Sequence, residues 1–139
     1  MVISNAAAQC RRNYQDFLFT QKVLVEFYFP WLKVRIENKI LKASGQLEMF
    51  GDFFHIEISY SPFLPGRFDR IYLKNPNIKF NDKIHLYRDL SLCLYHPVID
   101  MPLTKTIPLV DIVPWISEWC IHYQEWKKYG VWLGKEIAH

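Results

Sequence analysis

Cys93 is the residue of this sequence with the most chemical capacity. It stands in the stretch His85 to Pro97, HLYRDLSLCLYHP, with His85 eight positions before it and His96 three after. A thiol attacks as its thiolate, so a nucleophilic cysteine must be partly exposed and have a positive charge or hydrogen-bond donor beside it. Arg88, His85 and His96 could each supply one, and Arg88, Asp89 and Ser91 make the approach to Cys93 polar. The four residues Leu92-Cys93-Leu94-Tyr95 read equally as an ordinary buried strand, because unpaired cysteine behaves as a small hydrophobe. Spacing alone does not choose between the two; on the nucleophilic reading, the polar flanks predict an accessible Cys93 that reacts in the native protein ahead of Cys10 and Cys120.

Other chemistries are set aside by what the chain lacks. It contains no glycine-rich phosphate loop, no HExxH, no GxSxG, and no pair of carboxylates spaced for acid and base roles. Cys10, Cys93 and Cys120 are far apart and odd in number, which fits neither a disulfide framework nor the close pairs of a structural zinc site. No cofactor is expected, and a reducing cytoplasm is the expected home.

The elements that must position Cys93 come from a chain of 139 residues, half of them apolar, enough for one domain over 1–139 with a real core. Arg11 and Arg12 follow rather than precede the short apolar start, and Glu26 and Pro30 break the run Val23 to Leu32. A cleavable signal and a membrane span are therefore not expected. The net charge of +3 is small and its basic residues are scattered, a weak footprint for a nucleic-acid binder. Lys33, Arg35, Lys39 and Lys42 fit a solvated strand face instead.

Along the chain, Cys10, Tyr14, Phe17, Leu18, Val25 and Tyr28 recur at three- and four-residue steps, predicting a helix that buries them and stops before Pro30. Lys39 to Glu48 reads as a strand. After turn chemistry at Gly51-Asp52, Phe54, Ile56, Ile58 and Tyr60 alternate with His55, Glu57 and Ser59, the pattern of a strand with one core face. Ser61 to Gly66 is too rich in proline to pair and joins this strand to an antiparallel neighbour over Phe68 to Leu73. Lys74 to Ile84 carries Asn75-Pro76, Asn77 and Asn81-Asp82 and reads as an extended loop into the cysteine stretch. Beyond it, Ile112, Trp115, Ile116, Trp119, Tyr123 and Trp126 predict an amphipathic helix with Asp111 as N-cap, Pro114 in the first turn, Lys127 and Lys128 in the last, and Gly130 ending it. Its tryptophans are placed as core rather than as a ligand groove, and Cys120 as packing beside Trp119. The switch from period two to a period near 3.6 predicts an α+β fold: an N-terminal helix, an antiparallel meander of three or four strands, the Cys93 loop, and a C-terminal tryptophan-rich helix.

Two stretches carry a family resemblance. HLYRDLSLCLYHP resembles a His-x-Tyr followed by Leu-Cys-Leu-Tyr-x-Pro, and IVPWISEWCIHYQEWKKYGVWLG resembles a Val-Pro-Trp, Glu-Trp, Tyr, Trp, Gly-x-Trp-x-Gly pattern. Both belong to the prokaryotic ubiquitin-conjugating-enzyme-like proteins of CBASS antiphage operons, which lie beside a cGAS-like nucleotidyltransferase. Residues 1–84 add the matching order of elements. The resemblance implies a ubiquitin-conjugating-enzyme-like fold and makes Cys93 the acceptor thiol, which holds a protein C-terminus as a thioester before passing it to an amine.

By the same resemblance, His85 is the histidine that opens the eukaryotic His-Pro-Asn signature, and Leu86 and Tyr87 stand where proline and asparagine would. Tyr87, His85, Asn81 or a backbone N–H is then left to stabilise the oxyanion. The implied partner is the cGAS-like nucleotidyltransferase as protein client. Any activating enzyme is encoded elsewhere, because this chain has no nucleotide-binding motif of its own. Two other functions fit the same residues: a non-catalytic binding scaffold with Cys93 merely buried, and a hydrolase using Cys93 and His85 to cleave such conjugates.

Overall fold

The computed structural model describes residues 2–76, 78–95 and 106–134, with side chains from Tyr14 onward. Helix α1 (Val2–Tyr28) leads into four strands, β1 (Leu32–Glu37), β2 (Ile40–Met49), β3 (Asp52–Tyr60) and β4 (Asp69–Asn75). A short 3-10 turn (Asp82–Ile84) and helix α2 (Leu109–Tyr129) follow. The strands pair in chain order as one antiparallel sheet, the meander that its connections favour. The first two connections are two-residue turns. Asn38 carries a φ of 57° between Glu37 and Ile40, and Phe50-Gly51 carries φ of 48° and 87° between Met49 and Asp52. Positive φ at such positions matches the twist of paired strands.

Period-two patterning decides which sheet face is covered. Leu32, Val34, Leu41, Ala43, Phe54, Ile56, Ile58, Tyr60, Ile71 and Leu73 are all buried, and they join Leu18 and Val25 of α1 and Ile112, Val113 and Ile116 of α2 in one hydrophobic cluster. Alternate residues on the opposite face, Lys33, Arg35, Glu57 and Arg70 among them, are exposed. Polar bonds fix α2 in place over this core. The Gln21 side chain of α1 accepts from the Val110 N–H at 3.0 Å, the Tyr60 hydroxyl donates to the Ile107 carbonyl at 2.8 Å, and Gln124 donates to the Met49 carbonyl at 2.7 Å.

Several expectations shift in detail. Tyr28 is 61% exposed, not buried. The buried stripe of α1 runs through Leu18, Gln21 and Val25; Tyr28, seven residues beyond Gln21, keeps within about 20° of it at 3.6 residues per turn, but is the last residue of the helix and is exposed there. Cys10 lies outside the residues whose side chains are described. Helix α2 begins at Leu109 with Pro108 at the N-cap, so Asp111 is an acidic residue of the first turn and Pro114 stands inside the helix. Pro114 is exposed there, and it cannot donate to the Val110 carbonyl. The far end is as expected, with Lys127 and Lys128 in the last turn and Gly130 at φ 74°, its N–H on the Trp126 carbonyl.

Candidate active site

Residues 85–93 fold into a tight hairpin, and this local geometry brings His85 and Cys93 together. The Cys93 N–H donates to the His85 carbonyl at 3.0 Å, and the Tyr87 N–H to the Ser91 carbonyl at 2.9 Å; Leu86 bridges Leu92 between them. The turn at the tip is closed by the Leu90 N–H on the Tyr87 carbonyl, with Leu90 at φ 72°. Asp89 supports it with its carboxylate, which accepts from the Ser91 N–H at 3.0 Å and the Ser91 hydroxyl at 2.6 Å. Such a side-chain acceptor two residues back is the usual device of an aspartate in a turn. The hairpin docks on β4, where the Leu92 N–H donates to the Ile71 carbonyl at 2.8 Å and Ser91 bridges Tyr72.

At the hairpin base, Cys93 is 1% exposed, and its thiol points its hydrogen at the Tyr95 carbonyl, 3.7 Å away. The Tyr87 hydroxyl hydrogen-bonds the same sulfur. Burial pushes the Cys93 pKa up, and the Asp69 carboxylate adds to this; the Tyr87 hydroxyl, the Tyr95 backbone and the Arg67 guanidinium pull the other way without reversing it. The expectation of a polar-flanked, accessible cysteine is therefore corrected. The thiol at rest is buried and protonated.

His85 is also buried, at a φ of 57° in the left-handed region. Its backbone holds Cys93, and its ring packs against Trp132 with centroids 5.1 Å apart. Trp132 in turn contacts Trp119, whose indole N–H donates to the Ile84 carbonyl at 3.0 Å. The indoles thus lock the entry to the hairpin onto α2. Asn81 caps the 3-10 turn by accepting from the Lys83 N–H at 2.9 Å. Arg88 is exposed and lies over the Phe80 ring at 5.4 Å. His96 lies outside the described residues.

The cation near the thiol is one that sequence reasoning did not single out. The Arg67 guanidinium lies over the Tyr87 ring, its central carbon 3.7 Å from the centroid. Its Nε donates to the Asp69 carbonyl at 2.8 Å, and its terminal nitrogen bonds the Ser91 hydroxyl and lies 3.5 Å from Asp89 Oδ2. Asp69 itself is 1% exposed. One of its oxygens accepts from the Tyr95 hydroxyl at 2.7 Å; burial nevertheless raises its pKa more than Tyr95 and Arg67 lower it. Tyr95 is held by stacking on Phe68, with centroids 6.1 Å apart. Arg67, Asp69 and Tyr95 meet because β4 and the hairpin pair, and no motif in the chain announces that pairing.

Among the described residues, no helix is long and apolar enough to cross a membrane. The family model described as "Type II CBASS E2 protein" matches residues 21–139. No curated protein and no solved structure matches the chain.

Proposed function

The chain belongs to the type II CBASS E2 family, and from that premise we propose that Cys93 accepts a protein C-terminus as a thioester and passes it to an amine. The client is a cGAS-like nucleotidyltransferase of the same operon, the fold is that of ubiquitin-conjugating enzymes, and the setting is the bacterial cytoplasm during antiphage defence. The observation that carries this reading is the hairpin. It sets a single thiol opposite His85, inside the matched region, with a hydroxyl bonded to the sulfur.

The step balances without a resident cofactor. An activated acyl donor, itself a thioester or acyl adenylate made by another enzyme, is attacked at its carbonyl carbon by the Cys93 sulfur. The C–S bond forms, the bond to the leaving group breaks, and the thiol proton leaves with that group. In the second half an amine attacks, and its proton restores the thiol. His85 enters as a positioning residue: its carbonyl holds the Cys93 N–H, and its ring, packed on Trp132, keeps that carbonyl in place. His85→Ala, which keeps the carbonyl and loses the ring, slows transfer by more than it lowers stability.

Burial of the thiol favours a second reading, a non-catalytic scaffold. One experiment separates them. Purified chain is incubated with the operon's nucleotidyltransferase carrying a C-terminal thioester, and run with and without thiol reductant. A reductant-sensitive adduct that disappears in Cys93→Ala, with Cys93→Ser giving a reductant-stable oxyester, supports acyl transfer. An adduct that persists in Cys93→Ala, or binding with no adduct in the native chain, overturns it.

A further inference from the structure

We propose that Tyr87 is the catalytic hydrogen-bond donor of the Cys93 site and that Arg67 is the residue that positions it, an assignment that deepens the acyl-transfer reading and rests on it. The Cys93 thiol donates to the Tyr95 carbonyl, and the Tyr87 hydroxyl also bonds the sulfur. A thiolate can only accept, so when the thiol loses its proton the phenol is the donor of that contact, and its O–H bond gains strength because its acceptor is now charged. As the acyl carbon becomes tetrahedral, negative charge moves from sulfur to the carbonyl oxygen bound next to it. A hydroxyl already at the sulfur is within a bond length or two of that oxygen and can follow the charge.

A phenol can serve this way only if its ring cannot swing out. Arg67 provides the restraint. Its guanidinium covers the Tyr87 ring face at 3.7 Å, while Nε is fixed to the Asp69 carbonyl and the terminal nitrogen to the Ser91 hydroxyl. The start of β4, the hairpin tip and the phenol are thereby tied by one planar group, which a lysine could not replace with the same geometry. The cation over the ring also withdraws electron density from the phenol, making its O–H a better donor. The charged neighbours of this device are Asp69 and Asp89, each paired with the guanidinium. Arg67 acts on the sulfur in two ways, directly through its charge and through the phenol that it holds in place.

The test uses the full chain with Cys10→Ser and Cys120→Ala, so that Cys93 is its one thiol. Its 13Cβ resonance is titrated by NMR, and acylation is followed by mass spectrometry with the operon's nucleotidyltransferase carrying a C-terminal thioester as probe. Tyr87→Phe removes one hydroxyl and keeps the ring. It is expected to raise the Cys93 titration midpoint and to slow acylation about 10²-fold, as loss of one oxyanion donor does. Arg67→Lys, which keeps the charge but not the planar fork, is expected to move the same midpoint in the same direction, and the double variant to move it no further than Tyr87→Phe alone.

A folded Tyr87→Phe with the wild-type midpoint and acylation rate overturns the proposal. A double variant whose effects add overturns the positioning role of Arg67. If the probe never acylates the wild-type thiol but Tyr87→Phe still raises the midpoint, the hydrogen-bond assignment stands and the acyl-transfer reading falls.

Discussion

Alkylation of Cys93 in the native protein is expected to be slower than in the unfolded chain by about three to five powers of ten. The magnitude follows from what must open. The sulfur belongs to a hairpin docked on β4, and releasing it breaks the Leu92 N–H bond to the Ile71 carbonyl and exposes Leu86 and Leu92, which are 3% and 0% accessible. One backbone hydrogen bond is worth about 1 kcal/mol net, and a buried leucine about 1.5 to 3 kcal/mol. One bond and two leucines sum to roughly 4 to 7 kcal/mol, or about 10³ to 10⁵ in the opening equilibrium at 1.4 kcal/mol per decade. The assay is iodoacetamide labelling of the Cys10→Ser, Cys120→Ala chain, followed by intact mass in buffer, in sub-denaturing urea and fully unfolded. A small urea dependence in the low range, rising to the global slope near the transition, would mark local opening of the hairpin. Labelling in buffer within tenfold of the unfolded rate would refute the reasoning, because the docked hairpin would then give the sulfur no protection.

Asp69 predicts a pH effect. Its folded pKa is raised above the ordinary aspartate value of 3.8, mainly by burial, so its stabilising contribution is fully present below the unfolded pKa and is lost as pH rises through the folded pKa. Urea midpoints of Asp69→Asn relative to wild type should therefore move in the variant's favour as pH climbs from about 3.8; a trend in the other direction contradicts the burial argument. Gly45→Ala would place a Cβ 2.0 Å from the Trp31 carbonyl oxygen, and the forced backbone shift should cost about 1 to 3 kcal/mol in chemical denaturation. Tyr60→Phe removes the buried donor to the Ile107 carbonyl and should lose about 1 to 3 kcal/mol by the same measurement, the cost of an unsatisfied buried acceptor.

Period and punctuation made most of the scaffold legible. Phe54, Ile56, Ile58 and Tyr60 lie on the core face as alternation required, and Gly130 ends α2 because its positive φ suits only glycine without strain. Asp111 misled because an acidic residue is favoured both as a cap and within the first turn, and sequence does not separate adjacent positions. In the candidate site, Cys93 and His85 could be picked out because both sit in one short stretch. Arg67 and Asp69 could not. They follow a proline-rich connection, and their proximity to the thiol depends on which strand edge the hairpin pairs with, a long-range fact with no local signature. The accessibility of Cys93 was misjudged for a related reason. Polar neighbours in sequence, Arg88 and Asp89, point outward from the hairpin tip, while the thiol at its base faces inward.

Burial is the main reason that the thiol rests protonated, and the Asp69 carboxylate adds to it. Arg67 is shared between two carboxylates, Asp69 at 3.9 Å and Asp89 at 3.5 Å, and Arg70 also acts on Asp69. A thiolate would add a negative charge near Asp69 in a buried setting where like charges repel strongly. The Asp69 pKa is itself raised, so its carboxylate is poorly compensated before Cys93 ionises at all. Forming the thiolate is correspondingly costly until an acyl carbonyl is present to take the charge, and the Tyr87 hydroxyl is the donor already in contact with the sulfur. Such a site would remain quiet toward small electrophiles in solution. Its reactivity would depend on a partner that opens the hairpin's surroundings and brings the acyl group with it, which ties the chemistry of Cys93 to recognition of the client rather than to the intrinsic nucleophilicity of the thiol.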